Sequence, residues 1–193
     1  MKKNIFYGFI GHLTTVMRHR RAVMRHAARA GIFWQGLLHD LSKYSPVEFI
    51  NGVKNYQGTK SPNEEERRKK GYSAAWLHHK GRNRHHFEYW TDYNPATRTI
   101  QPVKMPVRYV AEMFCDRVGA SKVYQGKNYT DSHPLEYFVR GKSTRFIHPE
   151  TSALIESWLV MLKEKGEEYT LAYIKNFVKK GDGKKVQNAK RQL

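Results

Sequence analysis

The chain has a single cysteine, Cys115, among its 193 residues. One cysteine cannot form an internal disulfide, and it excludes zinc sites that are built from several thiolates. Any metal site must therefore use histidine and carboxylate ligands. Because a chain without disulfides is typical of a reducing compartment, we predict a cytoplasmic protein.

Long hydrophobic runs are also missing. No apolar stretch approaches the roughly 18 residues that a membrane-spanning helix needs. The basic N-terminus is followed too soon by polar His12 and by the arginines from Arg18 to Arg21 for a secretory signal. We therefore expect no membrane partner. A nucleotide-binding glycine fingerprint and a Walker motif are absent as well, which excludes the common phosphate-cradling loops.

Acidic residues are scarce: 17 Asp and Glu stand against 35 Lys and Arg, which gives a formal net charge of +18. Such an excess favours a polyanionic partner, and we predict a nucleotide or a nucleic acid. The alternative is a basic protein whose charge only keeps it soluble and monomeric. The positive charge is spread along the chain, so it does not identify one binding face.

What is present can build a core, because 39% of the residues are hydrophobic and 13% are aromatic. We predict one domain over residues 1–180 and a basic, mobile tail over 181–193. Apolar residues recur at three- and four-residue steps, as in Phe6, Phe9, Leu13 and Val16, and no region is rich in strands. The predicted fold is therefore all-α, with helices over 4–29, 33–44, 46–55, 62–70, 107–124, 152–165 and 168–180.

Local signals set several helix ends. Ser45 is predicted to cap a helix that has Glu48 in its third position, and Ser61 repeats that pattern before a solvated charged helix over 64–70. Gly166 is predicted to end a helix near the C-terminus. The stretch 91–106 contains three prolines and no helical period, so it is predicted to be a loop.

Three histidines lie seven residues apart in the first helix: His12, His19 and His26. Seven residues are close to two turns, so the three lie along nearly one face. They are either ligands or a solvated stripe among arginines. The next helix follows after a very short connection and should pack antiparallel. With a rise of about 1.5 Å per residue, His39 then lies near the level of His19 or His26. His12 is more than ~15 Å from that level along the helix axis.

His39 and Asp40 follow an apolar stretch, and Lys43 comes three residues later. A neighbouring imidazole and carboxylate at the edge of a buried face can converge on one ion, although such a pair is often only solvated. Asp116 falls on the apolar face of its helix, where a carboxylate is costly unless it is paired or binds metal. The non-metal alternative is an ion pair with Arg108 or Arg117.

Two histidine pairs flank a basic segment that Gly81 is predicted to break. A loop that carries imidazoles and cations is suited to a metal beside a phosphate group. The alternative is a basic surface loop whose histidines bond to backbone carbonyls. The segment contains His78, His79, Lys80, Arg82, His85 and His86.

The order of these motifs resembles the HD-domain superfamily of metal-dependent phosphohydrolases. His39-Asp40 matches the name-giving pair, Leu38-His39-Asp40-Leu41-Ser42-Lys43 is similar to the His-Asp-aliphatic-small-Lys form, and Met113–Arg117 is similar to the closing helix. Residues 5–165 also resemble a small family of uncharacterised bacterial and phage proteins that shares the Leu-Leu-His-Asp-Leu-Ser-Lys-Tyr and Trp-Leu-His-His-Lys-Gly-Arg-Asn stretches.

The resemblance implies an HD-domain-like helical bundle that hydrolyses a phosphate ester in a nucleotide or nucleic acid. One divalent Mn, Fe, Co, Ni or Zn ion would be held by four side chains, and a second ion by two more histidines with Asp40 bridging. Cationic side chains would neutralise the phosphoryl oxygens. The implied ligands are His19, His39, Asp40 and Asp116 for the first ion and His79 and His86 for the second, with His12, His26, His78 and His85 as rivals; the implied cations are Lys43, Lys80 and Arg82.

Two other functions remain open. Some HD-like proteins hold a di-iron centre that activates oxygen, and the same histidines and aspartates would serve it. A non-catalytic basic module would instead bind nucleic acid by stacking bases on aromatic residues such as Trp76.

Overall fold

A computed structural model describes residues 5–190 of the chain, with 182–190 as backbone only. Within that range the chain forms eight α-helices and one two-stranded hairpin, which confirms the predicted all-α fold. Short 3-10 helices occupy Leu41–Tyr44, Phe87–Tyr89, Gly126–Asn128 and Lys142–Thr144. The α-helices are α1 Ile5–Arg29, α2 Phe33–Leu38, α3 Pro46–Asn55, α4 Pro62–Lys70, α5 Ala74–Arg82, α6 Val107–Gln125, α7 His133–Arg140 and α8 Pro149–Lys190.

Helix α1 is the central element, because it packs against α2, α3, α6 and α8. The hydrophobic core fills the space between α1, α6 and α8, where large side chains are fully buried. This arrangement leaves one side of α1 facing the core and another facing α2 and α3, which carry the segments around His39 and Glu48. The core includes Val23, Phe114, Val118, Trp158 and Leu159.

The buried face of α1 differs from the prediction. Phe6 and Phe9, which belong to the apolar recurrence that predicted this helix, are both exposed. The close approach of α3 explains this: a Cβ on Gly8 would lie 2.5 Å from the Val53 carbonyl oxygen, so the inward position there suits only glycine. All three α1 histidines are buried instead, which contradicts the solvated stripe considered for them.

The second predicted helix ends early. Helix α2 stops at Leu38, and His39 and Asp40 form a turn before the 3-10 helix, whereas a continuous helix over 33–44 was expected. Asp40 adopts the left-handed conformation with φ 56° and ψ 26°, which a non-glycine residue adopts only rarely. Arg20 holds the turn from α1: its guanidinium donates hydrogen bonds to the carbonyl oxygens of Leu37, at 2.9 Å, and His39, at 2.8 Å.

Two further stretches depart from the prediction. Gly81 does not break its helix, because α5 continues to Arg82. The stretch 91–106 is not all loop: β1 Thr91–Asn94 pairs antiparallel with β2 Thr99–Pro102. Threonine, tyrosine and isoleucine in these segments suit strands. The hairpin is mostly exposed.

The predictions for the two serine caps are confirmed for position but wrong for the capping hydrogen bond. Ser45 and Ser61 precede α3 and α4 as predicted, but neither side chain caps its helix. Glu48 is buried instead of capping, and Glu66 is buried within the charged helix that was expected to be solvated. Glu66 accepts a 2.7 Å hydrogen bond from Ser73, and this bond ties α4 to the start of α5.

Gly166 interrupts α8 with φ 77° and ψ 172°, as the sequence predicted for the end of a helix. The helix then continues to Lys190, so it includes most of the predicted tail 181–193, whose mobility stays a prediction. Residues 191–193 lie outside the described residues. Of the helices in the described part of the chain, none combines the length and the apolar character that crossing a bilayer requires.

The packing of α2 on α1 depends on Gly36. A Cβ at this position would lie 2.4 Å from the Cβ of Ala27. We expect Gly36→Ala to lower the free energy of unfolding by about 1–3 kcal/mol, since the two helices must separate. Gly81→Ala is the matched control: nothing lies within 4 Å of its Cβ position, so added helix propensity should stabilise the protein by about 0.5–1 kcal/mol. Urea denaturation measures both, and equal effects would contradict this packing.

Candidate metal centre

The carboxylate of Asp40 lies at the centre of a cluster of buried histidines. The residue is 1% exposed, and its left-handed turn directs the side chain into the protein. Its two oxygens face different groups of imidazoles. Oδ2 lies 3.5 Å from His19 Nε2 and 3.2 Å from His39 Nε2, whereas Oδ1 lies 3.3 Å from His79 Nε2 and 3.5 Å from His85 Nε2.

The first group contains His19, His39, Asp40 and Asp116, which come from α1, the turn after α2, and α6. His19 Nε2 lies 3.3 Å from His39 Nε2 and 3.1 Å from Asp116 Oδ1. His39 Nε2 lies 3.6 Å from the same Asp116 oxygen. The structure therefore brings together four side chains that were predicted to share one site.

The second group contains Asp40, His79, His85 and His86, with candidate ligand atoms within 4.8 Å of one another. His79 lies in the last turns of α5, and the other two histidines follow the helix. The sequence prediction ranked His85 below His86, but both imidazoles belong to this group. His85 is fully buried against the ring of His39, with the ring centroids 4.3 Å apart.

Several candidate ligand atoms in the cluster have unused hydrogen-bonding capacity. Among the described residues, no well-aligned hydrogen bond reaches Asp40 Oδ1 or Nε2 of His85 and His86, and all three atoms are buried. Asp40 Oδ2 faces the Lys43 ammonium at 2.6 Å. Buried polar atoms without partners are costly. These nitrogen and oxygen atoms belong to the two groups of candidate ligands. Their chemistry and their convergence therefore fit bound cations.

Two glutamates orient the histidine rings, and the sequence reasoning missed both. Glu112 Oε1 lies 3.0 Å from His39 Nδ1 and 3.1 Å from His85 Nδ1. Glu48 Oε2 lies 2.7 Å from His79 Nδ1. A carboxylate on Nδ1 fixes the tautomer that leaves Nε2 free as a ligand. The only sequence signal was position: Glu112 lies one helical turn before Asp116 on α6.

A chain of polar contacts supports Glu112 in turn. Gln35 donates a 3.0 Å hydrogen bond to Glu112 Oε2 and accepts a 2.7 Å bond from Arg108. Arg108 therefore supports Glu112 through the side chain of Gln35 and does not form an ion pair with Asp116. Arg117 lies over the Phe138 ring, so neither arginine forms the ion pair that was the alternative for Asp116.

The remaining predicted ligands lie outside both groups. His12 packs on the Phe49 ring, with centroids 5.3 Å apart, and His26 lies 3.1 Å from Glu167 on α8. His78 bonds to the second oxygen of Glu48 at 2.7 Å. Of the helix α1 rivals, only His19 reaches the cluster, because α2 ends its close contact with α1 at the level of Arg20.

The predicted cations differ in position. Lys43 Nζ lies 2.6 Å from Asp40 Oδ2. Arg82 is exposed and donates to the carbonyl of His78, at 3.4 Å. Within the described residues, Lys80 and Arg82 form no ion pair with the cluster, so the contribution predicted for them stays a prediction.

The electrostatics of the cluster favour bound positive charge. Burial alone would raise the pKa of Glu112, but hydrogen bonds from His39 and His85 outweigh it and lower the pKa to about 2. Burial also works against a charged Lys43, yet Asp40 and Asp116 raise its pKa above the usual value. Burial, with the charges of His85 and His79, holds the pKa of His86 well below its usual value, so that ring is neutral and suited to bind a cation.

Fold and site together define a class: an all-α protein with a buried cluster of histidines and carboxylates whose geometry suits metal ions. The chain belongs to the family of unknown function DUF5662, whose model matches residues 9–161. The matched region includes both groups of the cluster. The expected similarity to a family without an assigned function is thus confirmed, while the HD-domain resemblance stays a prediction. Neither a curated protein nor a solved structure matches the chain.

The burial of His12 should make stability depend on pH. Burial first, and then the charge of Lys43, lower its pKa to about 4, below the usual 6.5. As the pH falls from 6.5, the unfolded chain binds the proton first, so stability that is full above pH 6.5 is lost towards pH 4. The loss should be about 2 kcal/mol between pH 6.5 and 4.5.

The measurement is urea denaturation of the wild type and of His12→Leu across this pH range. The variant should lose about 2 kcal/mol less than the wild type. Titration of the Asp40 cluster is common to both proteins and cancels in the comparison. Identical pH dependences would contradict a neutral, buried His12.

Proposed function

We propose that the chain is an HD-type, metal-dependent phosphohydrolase that acts on a phosphate ester of a nucleotide or nucleic acid. One observation carries the proposal: Asp40 presents one oxygen to each of two groups of histidines. A carboxylate that faces two sets of ligands is suited to bridge two ions. The motif order noted in the sequence supports the HD assignment.

The spacing within the first group supports a single shared ion. Ligand atoms at about 2.0–2.1 Å from a tetrahedral ion are about 3.3 Å from one another. Five of the six separations among the ligand atoms of His19, His39, Asp40 and Asp116 run from 3.1 to 3.6 Å, and all lie within 4.8 Å. Nitrogen and oxygen donors of this kind suit Mn, Fe, Co, Ni or Zn.

The open side of the cluster is marked by Asp116 and Lys43. Their side chains are 18% and 28% exposed, while those of His39 and Asp40 are at most 1% exposed. A substrate therefore approaches past the Lys43 ammonium. A bound divalent ion would lower the pKa of water towards about 7 and supply hydroxide at neutral pH.

The protein's own side chains supply the remaining chemistry. The raised pKa of Lys43 keeps its ammonium charged, so it can stabilise negative charge that develops on the phosphoryl oxygens. Glu112 and Glu48 hold three imidazoles with Nε2 directed inward, so the site needs no rearrangement to bind a cation. The net charge of +18 favours a nucleotide or nucleic acid as the phosphate carrier.

The packing of Trp76 argues against a purely base-stacking module. Its ring contacts those of His79 and His86, with centroids 5.6 and 4.7 Å apart, and Arg67 lies over its face. The ring is thus engaged in holding the histidine segment.

Elemental analysis of protein purified without chelators tests the metal. We expect one or two transition-metal ions per chain, and hydrolysis of a generic phosphodiester that chelation abolishes and metal restores. His39→Ala should lower this activity at least about 100-fold, because it removes a ligand. His133→Ala is the control, since His133 bonds to the Thr130 turn and is not part of either group of the cluster. Metal-free wild-type protein, with activity unchanged in His39→Ala, would overturn the proposal. Oxygen uptake by iron-loaded protein without phosphate release would replace it by di-iron chemistry.

Glu112 is expected to act as a positioning residue. Glu112→Gln keeps the shape of the side chain but weakens its hold on His39 and His85, so metal affinity should fall about 10–100-fold. Competition with a fluorescent chelator measures the affinity without reference to catalysis. Glu66→Gln is the matched control, a buried glutamate in α4 that bonds to Ser73. Equal metal affinity in Glu112→Gln and the wild type would show that the carboxylate does not support the ligands.

A further inference from the structure

Asn83 fixes the end of α5, the helix that leads into the second group of histidines. The residue is only 9% exposed. Its backbone N–H donates a 3.1 Å hydrogen bond to the carbonyl oxygen of His79, and its side-chain amide donates another, at 2.8 Å, to the same oxygen. The carbonyl oxygen of Asn83 in turn accepts a 3.1 Å hydrogen bond from the N–H of His86. Asn83 therefore sets the path of the chain from His79 to His86.

The amide of Asn83 also reaches the segment that carries Asp40. Asn83 Nδ2 donates a 2.8 Å hydrogen bond to Ser42 Oγ. Ser42 lies two residues after Asp40, in the 3-10 helix Leu41–Tyr44. Both hydrogens of the amide are thus engaged, one on its own helix and one on the opposite segment. This bond directly joins the two segments that supply the ligands of the second group.

Ser42 extends the contact to the carboxylate that orients His79. Because Ser42 Oγ accepts the hydrogen bond from Asn83, its own hydrogen remains available to an acceptor. Burial would raise the pKa of Glu48, but hydrogen bonds from its two histidine partners and from Ser42 outweigh it and lower the pKa. Ser42 Oγ also lies 3.2 Å from His79 Nδ1. Asn83, Ser42 and Glu48 therefore form one connected support behind the His79 ring.

The first group of ligands does not share this support. Within the described residues, no hydrogen bond joins Ser42 or Asn83 to a ligand atom of the first group. Its members contact one another, and Glu112 holds the ring of His39. A change at Asn83 or Ser42 should therefore act on the second group alone.

We propose that Asn83 and Ser42 are positioning residues that hold the second group of histidines against Asp40 and thereby set the affinity of the chain for a second divalent ion. This inference rests on the proposed function, because it needs a metal centre, and it assigns the residues that control the number of ions. Without the bond, the end of α5 loses its direct tie to the segment of Asp40. The distances from Asp40 Oδ1 to Nε2 of His79 and His85, 3.3 and 3.5 Å, are then no longer held.

A role as a helix cap explains only part of this pattern. The carbonyl oxygens in the last turn of a helix lack helical partners, and Asn83 supplies donors to one of them. A cap of this kind does not require the bond to Ser42. A shared role in positioning instead predicts that Asn83 and Ser42 are energetically coupled.

Calorimetric titration of the metal-free full chain with Co²⁺ tests the proposal. The wild type should bind two ions. Asn83→Ala and Ser42→Ala should each lower the affinity for the second ion about 10–100-fold, as the loss of a residue that supports a ligand does, and leave the affinity for the first ion unchanged. The double variant should lose little more than either single variant, because the same bond is missing in all three.

Asn55→Ala is the matched control, since Asn55 is a buried asparagine whose amide bonds to Asn51 within α3. It should bind both ions like the wild type, and so should Ser42→Thr, which keeps the hydroxyl group. Circular dichroism checks that each variant is folded.

Three results would overturn the inference and leave the proposed hydrolysis standing. They are a single ion in the wild type, unchanged binding of the second ion in Asn83→Ala and Ser42→Ala, and an equal loss of both ions, which would indicate a general structural role. Additive losses in the double variant would also overturn it, because the two residues would then act independently. A wild type that binds no Co²⁺ would overturn the proposed function itself.

Discussion

The contact between one buried carboxylate and the histidines around it is the constraint on which the rest of the structure depends. Asp40 reaches both histidine groups from a left-handed turn, a conformation that is sparsely populated outside glycine. Arg20 stabilises the turn by donating hydrogen bonds to the carbonyl oxygens of Leu37 and His39, which precede Asp40. The end of α2, the exposed 3-10 helix and the arginine on α1 therefore all serve the placement of one side chain.

The polar interior explains the unusual use of α1. Its buried face carries three histidines at a seven-residue spacing, each with a different surrounding: Phe49 for His12, the cluster for His19, and Glu167 for His26. Gly8 lets α3 pack closely against α1, and Gly36 lets α2 pack closely against α1. The segments around Glu48 and His39 are thereby brought to the cluster.

The sequence predicted those parts of the site that depend on adjacency and helical period. His39 and Asp40 are neighbours, Asp116 lies on the apolar side of a regular helix, and the antiparallel packing of two helices favours His19 or His26 over His12. Glu112 and Glu48 could not be found in this way, because a glutamate on a helix is usually solvated and only tertiary packing buries these two. The turn at Asp40 was missed for the same reason, since the bonds from Arg20 come from another helix.

The most direct test of a metal ion held by Asp40 is anomalous diffraction from crystals of protein purified without chelators, recorded at the absorption edge of the metal that it contains. The account predicts a strong peak between Asp40 Oδ2 and the Nε2 atoms of His19 and His39, at about 2.0–2.2 Å from each. A map without any peak beside Asp40, in which Lys43 and protonated histidines alone neutralise the carboxylates, would contradict it.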